Sequence, residues 1–125
     1  MAQHMWDWSS LNSSLPRSIR LSDLDGIVEI GGHFLVIESK SANGALSTGQ
    51  RIALERLSWL PEMTVIVLQG PDGMRSVNQI QVCKNGAFGL AQSITHDEVA
   101  ARVKRWADRH AGVYPKYQHR RGAAA

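Results

Sequence analysis

Two acids and a lysine, Asp25, Glu38 and Lys40, bracket a stretch that reads DGIVEIGGHFLVIESK. Side chains alternate faces along a strand, so Glu38 and Lys40 point the same way as Phe34 and Val36, while Ser39 points the other way. With Gly31 and Gly32 as the loop of a hairpin, Ile30 pairs with His33. Counting outward then sets Asp25 against Glu38 and Asp23 against Lys40. Like charges opposed on neighbouring strands destabilise the pairing, and a divalent cation would offset the repulsion. Mg²⁺ takes oxygen ligands octahedrally, commonly one or two carboxylates, with water or phosphate oxygens in the other positions. A lysine one pleat further on can orient an attacking water or stabilise charge developing on a phosphate. The same spacing equally allows a solvated ion network at the end of a sheet, with Asp23 and Lys40 as an ordinary cross-strand pair.

The elements that must position these groups follow from local pattern. Residues 24–30 and 33–41 read as strands, and the Gly-Gly link suits a tight turn that needs positive φ. Residues 47–60 read as a helix: Ser47 caps it, Gln50 sits three residues on as the capping-box partner, Ala53, Leu57 and Leu60 recur at helical spacing, and Pro61 ends it. Residues 64–68, TVIVL, form a short continuous apolar run of the kind covered on both faces of a sheet. Strand, helix and strand in that order imply a right-handed crossover. Residues 17–21 read as a first strand and residues 74–82 as an edge strand after the turn Gly70-Pro71-Asp72-Gly73. Trp6 and Trp8 fall in a short N-terminal helix. Thr95-His96-Asp97-Glu98 is a capping-box sequence that opens a second long helix to residue 110, with Val99, Val103 and Trp106 along one side. Arg102, Arg105 and Arg109 form a basic stripe beside that apolar side, and Lys104 projects elsewhere.

An Asp, a hairpin, and Glu-x-Lys at the end of an apolar strand followed by a helix resembles the PD-(D/E)XK nucleases, with Asp25, Glu38 and Lys40 in the motif positions. The run IESKSANGALSTGQRIALERL adds to the likeness. In VRR-NUC and similar phage or junction-resolving nucleases the Glu-x-Lys is followed by a Gly, a Leu-Ser and a Gln opening the helix, as Gly44, Leu46, Ser47 and Gln50 do here. The resemblance covers roughly residues 15 to 70. It implies an α/β restriction-endonuclease-like core, a mixed β-sheet flanked by helices, and Mg²⁺- or Mn²⁺-dependent hydrolysis of DNA phosphodiesters, with a homodimer as the habitual assembly. By the same resemblance Asp25 and Glu38 hold metal, the Ser39 carbonyl is a further ligand, Lys40 assists the water, and Gln50 lies at the edge of the site. Its other reading is the cap with Ser47. Asp25 follows Leu24 where the family has Pro, and Asp23 is a second candidate ligand. Many relatives place a Glu on a preceding helix, where this chain offers only Asp7.

The whole chain bounds these readings. At 125 residues it fits one domain, 1–125, with ends at 1–14 and 112–125 expected to fray. Hydrophobic residues at 43% and charged residues at 20% are ordinary globular values. Cys83 is the only cysteine, which excludes an internal disulfide and a multi-cysteine zinc site and fits a reducing, cytoplasmic setting; the resemblance implies a bacterial or phage-infected cell. No apolar run is long enough for a membrane span. A net charge of +3 mildly favours a polyanionic partner. Arg17 and Arg20 just ahead of the site, the Arg102, Arg105 and Arg109 stripe, and Lys116, Arg120 and Arg121 are the cations placed to follow a phosphate backbone, although a charged helix face is more often only solvated. Trp6, Trp8, Tyr114 and Tyr117 are aromatic groups whose default is packing on the domain, with stacking on bases or closing a dimer as the alternatives. His33 and His96 read as surface histidines, without the partner spacing of a zinc site.

Overall fold

The structure, a computed structural model, describes residues 7–71 and 76–112. Trp6, the first two residues of the expected edge strand (Met74 and Arg75), and Tyr114, Lys116, Tyr117, Arg120 and Arg121 lie outside the described residues. The elements run α1 (Ser9–Asn12), β1 (Gly26–Ile30), β2 (His33–Ser41), α2 (Thr48–Leu57), β3 (Met63–Gly70), β4 (Gln79–Lys84), β5 (Ala87–Phe88), β6 (Gln92–Ser93) and α3 (His96–Ala111). They form a mixed six-stranded sheet in the order β1-β2-β3-β4-β5, with β6 also on β4.

The hairpin forms in the register counted from the sequence, Ile30 opposite His33 through to Gly26 opposite Ile37. Gly31 and Gly32 take φ of 60° and 84°, the left-handed values that a two-residue turn requires and that only glycine adopts freely. β2 then pairs in parallel with β3 through the α2 crossover, and β3 pairs antiparallel with β4.

Alternation divides the core into two layers. Leu35, Ile66, Leu68, Val77 and Ile80 pack with Ile94, Val99 and Trp106 of the α3 layer. Val36, Val65, Val67 and Cys83 pack with Leu54 of α2 on the other face. Both long helices carry the capping boxes read from their sequences, Ser47 with Gln50 and Thr95 with Glu98, each cap stabilising by about 0.5–2 kcal/mol. The far end of α2 is tied down by buried Ser58: its hydroxyl donates to the Glu55 carbonyl at 2.7 Å and accepts from the Gly86 amide at 2.8 Å. Burial raises the Cys83 thiol pKa, and Cys83 is a small core residue, as expected.

Four expectations need correction. Residues 17–21 are not a strand; the Ile19 amide bonds back to the Pro16 carbonyl and the Leu21 amide to Asn12 Oδ1, so a local turn takes the groups a strand would offer to a neighbour. α2 ends at Leu57, short of residue 60, in a turn closed by Trp59 and Leu60. β4 begins only at Gln79 and is not an edge strand, because two short strands that the sequence did not announce, β5 and β6, pair with it on the side away from β3. His33 is more than a surface residue: its ring stacks on His110 with centroids 3.9 Å apart, and burial, then the neighbouring His33, lower the His110 pKa.

Leu54 is the one buried side chain of α2. Leu54→Ala is expected to destabilise the fold by about 2–5 kcal/mol, read as a lower midpoint in urea unfolding; an unchanged midpoint would show that α2 is not held by this contact.

Candidate active site on the α2 face of the sheet

Glu38 and Lys40 continue the Val36 face of β2 and so point toward α2, where Gln50 occupies the third position of the helix. The Gln50 amide joins all three. Its Nε2 donates to Glu38 Oε2 at 3.1 Å, and its Oε1 accepts from Lys40 Nζ at 3.2 Å and from the Ser47 amide at 3.2 Å. The capping residue and the edge-of-site residue are thus one side chain doing both jobs. Lys40 Nζ lies 4.0 Å from Glu38 Oε2.

Glu38 is only 5% exposed, and its Oε1 is buried without a hydrogen bond of ordinary geometry among the described residues. Desolvation pushes its pKa up from the ordinary value and the Asp25 charge adds to this, while Lys40 and the backbone amide of Asp25 oppose it. Asp25 stands one residue beyond the last β1–β2 pair. Its Oδ2 accepts from the Ser39 amide at 2.9 Å and the Ser39 hydroxyl at 2.7 Å, so it closes the strand edge where β1 stops.

The Asp23–Lys40 pair allowed by the register does not form. Asp23 Oδ1 instead accepts from Trp8 Nε1 at 3.0 Å, which straps the N-terminal segment beside the site and leaves Lys40 to Gln50 and Glu38. Asp7 is engaged with Ser9 in an exposed turn, with hydroxyl and amide both donating to Oδ1, and these bonds lower its pKa.

Among the described residues no three His, Cys, Asp or Glu side chains cluster as a metal site. Two carboxylates remain, which is within the usual protein contribution to a Mg²⁺ site. The orphaned Glu38 Oε1 and the exposed Asp25 carboxylate are the groups that could face such an ion, and a neighbouring cation would relieve the cost of a buried, unpaired carboxylate oxygen. The donor set therefore fits a divalent ion through Asp25 and Glu38.

The cations assigned from sequence separate into two groups. Arg17 and Arg20 line a groove of about 870 Å³ that also includes Gln50. Arg102, Arg105 and Arg109 sit exposed on α3, which covers the opposite face of the sheet from Glu38 and Lys40. Arg56, in the last turn of α2, also lines the Arg17 groove and was not singled out from the sequence.

Because the folded-state pKa of Glu38 is raised, the folded protein holds its proton to higher pH than the unfolded chain does. Stability is therefore full below about the ordinary value of 4.5 and falls as pH rises through the raised value. Glu38→Gln is expected to melt above the wild type at pH 7 and to lose that advantage near pH 4, while millimolar Mn²⁺ raises the melting temperature of the wild type alone. A variant no more stable than wild type at pH 7, or an equal Mn²⁺ shift in both, would count against a strained carboxylate awaiting a cation. The chain matches no family model, no curated protein and no solved structure, so the chemistry of the site rests on its own geometry.

Proposed function

We propose that the protein is a metal-dependent DNA endonuclease with a PD-(D/E)XK-type site and a restriction-endonuclease-like core. The observation that carries the reading is a nearly buried Glu38 with one oxygen that lacks an ordinary hydrogen bond, beside Asp25 and on the same strand face as Lys40. A hairpin followed by a helix, in a mixed sheet flanked by helices, supports the reading. Asp25, Glu38 and the Ser39 carbonyl are the ligand candidates for Mg²⁺ or Mn²⁺, which would polarise the phosphodiester and neutralise its charge.

The remaining work falls to the chain itself. Lys40, steered by the Gln50 carbonyl oxygen, presents an ammonium beside the carboxylate, where it can hold a water against phosphorus and stabilise the added negative charge. The water oxygen forms the new P–O bond, one ester P–O bond breaks, the leaving alkoxide takes up a proton and the water gives one to solvent. Gln50 fixes the spacing of the two charged groups by bonding both. Arg17 and Arg20 lie on the same side and hold the phosphate backbone, and a homodimer would supply one such site for each strand.

A second reading keeps the fold and the DNA contact but drops cleavage, as in a phage or mobile-element binding factor. The absence of a third acidic ligand among the described residues favours it.

Plasmid and four-way-junction DNA incubated with Mg²⁺ or Mn²⁺ separate the two. The wild type is expected to cut, and Glu38→Ala and Lys40→Ala to lose about 10²-fold or more of the rate while still retarding DNA in a gel. Retardation without cutting under either metal would select the binding factor; cutting that survives both substitutions would remove these residues from the mechanism.

A further inference from the structure

The groove beside Gln50 has a composition that the catalytic reading does not require. One wall is the turn that carries Arg17, Ile19 and Arg20, and the other is the outer side of α2 with Ile52 and Arg56. None of the three guanidinium groups makes a hydrogen bond or ion pair among the described residues, and no Asp or Glu lines the groove. Arg51 and Lys104, by contrast, are each matched to an acid one helical turn away. Three guanidinium groups lining one concavity with no acid among its lining residues give it a positive potential that suits an anion. Arg17 also holds a φ of 57°, an uncommon conformation for a residue with a side chain.

Ile19 and Ile52 are 50% and 42% exposed, and they stand among the guanidinium groups. A concave surface that alternates cations with apolar side chains suits a chain that alternates phosphates with unpaired bases. A duplex would offer it phosphates only, because its bases are stacked and paired within. The groove ends at Gln50, whose amide is bonded to Glu38 and Lys40.

We propose that this groove seats a single-stranded DNA tail, with phosphates on Arg17, Arg20 and Arg56 and bases against Ile19 and Ile52, and that it delivers the strand to the Glu38 site. The delivery rests on the nuclease reading; the seating does not. Isoleucines give contact without base-edge hydrogen bonds, so binding is indifferent to sequence. Three phosphate contacts give a slope of about −2 in log affinity against log salt, at about 0.7 per phosphate for single strands.

Fluorescence anisotropy with a labelled single-stranded oligonucleotide in EDTA tests the seating, since no cleavage intervenes. The wild type is expected to bind with that salt slope and to prefer the single strand over a blunt duplex of the same length. Arg20→Ala/Arg56→Ala is expected to weaken binding about tenfold or more and to flatten the slope by about 1.4, and Arg20→Lys/Arg56→Lys to recover most of it. Circular dichroism melting of each variant establishes that it is folded. Unchanged affinity in the alanine pair, equal affinity for the blunt duplex, or a loss found only on substituting Arg102, Arg105 and Arg109 would overturn the proposal. In Mn²⁺, tailed duplex is expected to be cut faster than blunt duplex by the wild type, with the preference gone in the alanine pair. Tail binding that passes the first assay with no cutting in the second would sink the nuclease reading and leave the groove standing.

Discussion

A carboxylate withdrawn from water at the end of a strand must be supported from outside that strand, and in this protein one side-chain amide supplies the support. Gln50 gives its N–H to Glu38 and its oxygen to Lys40, while the same oxygen closes the N-terminal cap of α2. The placement of α2 is thus inseparable from the state of the site. The helix is held at its start by the capping box, in its middle by Leu54 against Val36, Val65 and Val67, and at its end by Ser58. Each anchor that keeps Gln50 within reach of Glu38 also keeps a costly charge tolerable. One carboxylate oxygen is still left over, a local defect of the sort that a folding domain removes unless the position has another use.

The sheet separates tasks by face. Among the described residues, the charges that act on Glu38 are Lys40 of β2 and, in the segment ahead of β1, Asp25 and Asp23, whereas the layer under α3 is apolar and continuous from Leu35 to Trp106. α3 therefore backs the sheet without touching the chemistry. Its stacked His110 meets His33 beside the hairpin turn, at the opposite end of β2 from Lys40.

What the sequence disclosed and what it hid follow one division. Features set by neighbours in the chain were legible: the Gly31-Gly32 turn, the strand register it dictates, both capping boxes and the apolar run of β3. From these alone Glu38 and Lys40 could be placed on one face with Asp25 beside them. Features set by distant partners were not. Asp23 looked like a partner for Lys40 until the indole of Trp8, far from it in the strand count, claimed it. Residues 17–21 have the apolar and basic alternation of a strand, yet the Asn12 side chain takes the amide of Leu21 and the segment stays a turn. The arginines of α3 were legible as a stripe, but the face of the sheet that the stripe would cover was not. β5 and β6, at two residues each, are too short for any periodicity to register.

The glycine turn has a consequence for how such a protein changes over generations. Glu38 and Lys40 are fixed by their bonds to β3 and α2, but Asp25 owes its position to the length of the turn at the far end of the hairpin. One inserted or deleted residue there would bring Leu24 or Gly26 opposite Glu38 and carry Asp25 elsewhere, while the parallel half of the sheet kept every hydrogen bond. A single codon gained or lost far from the acids would be enough to disarm the site without unmaking the domain, and a second such event would be enough to rearm it.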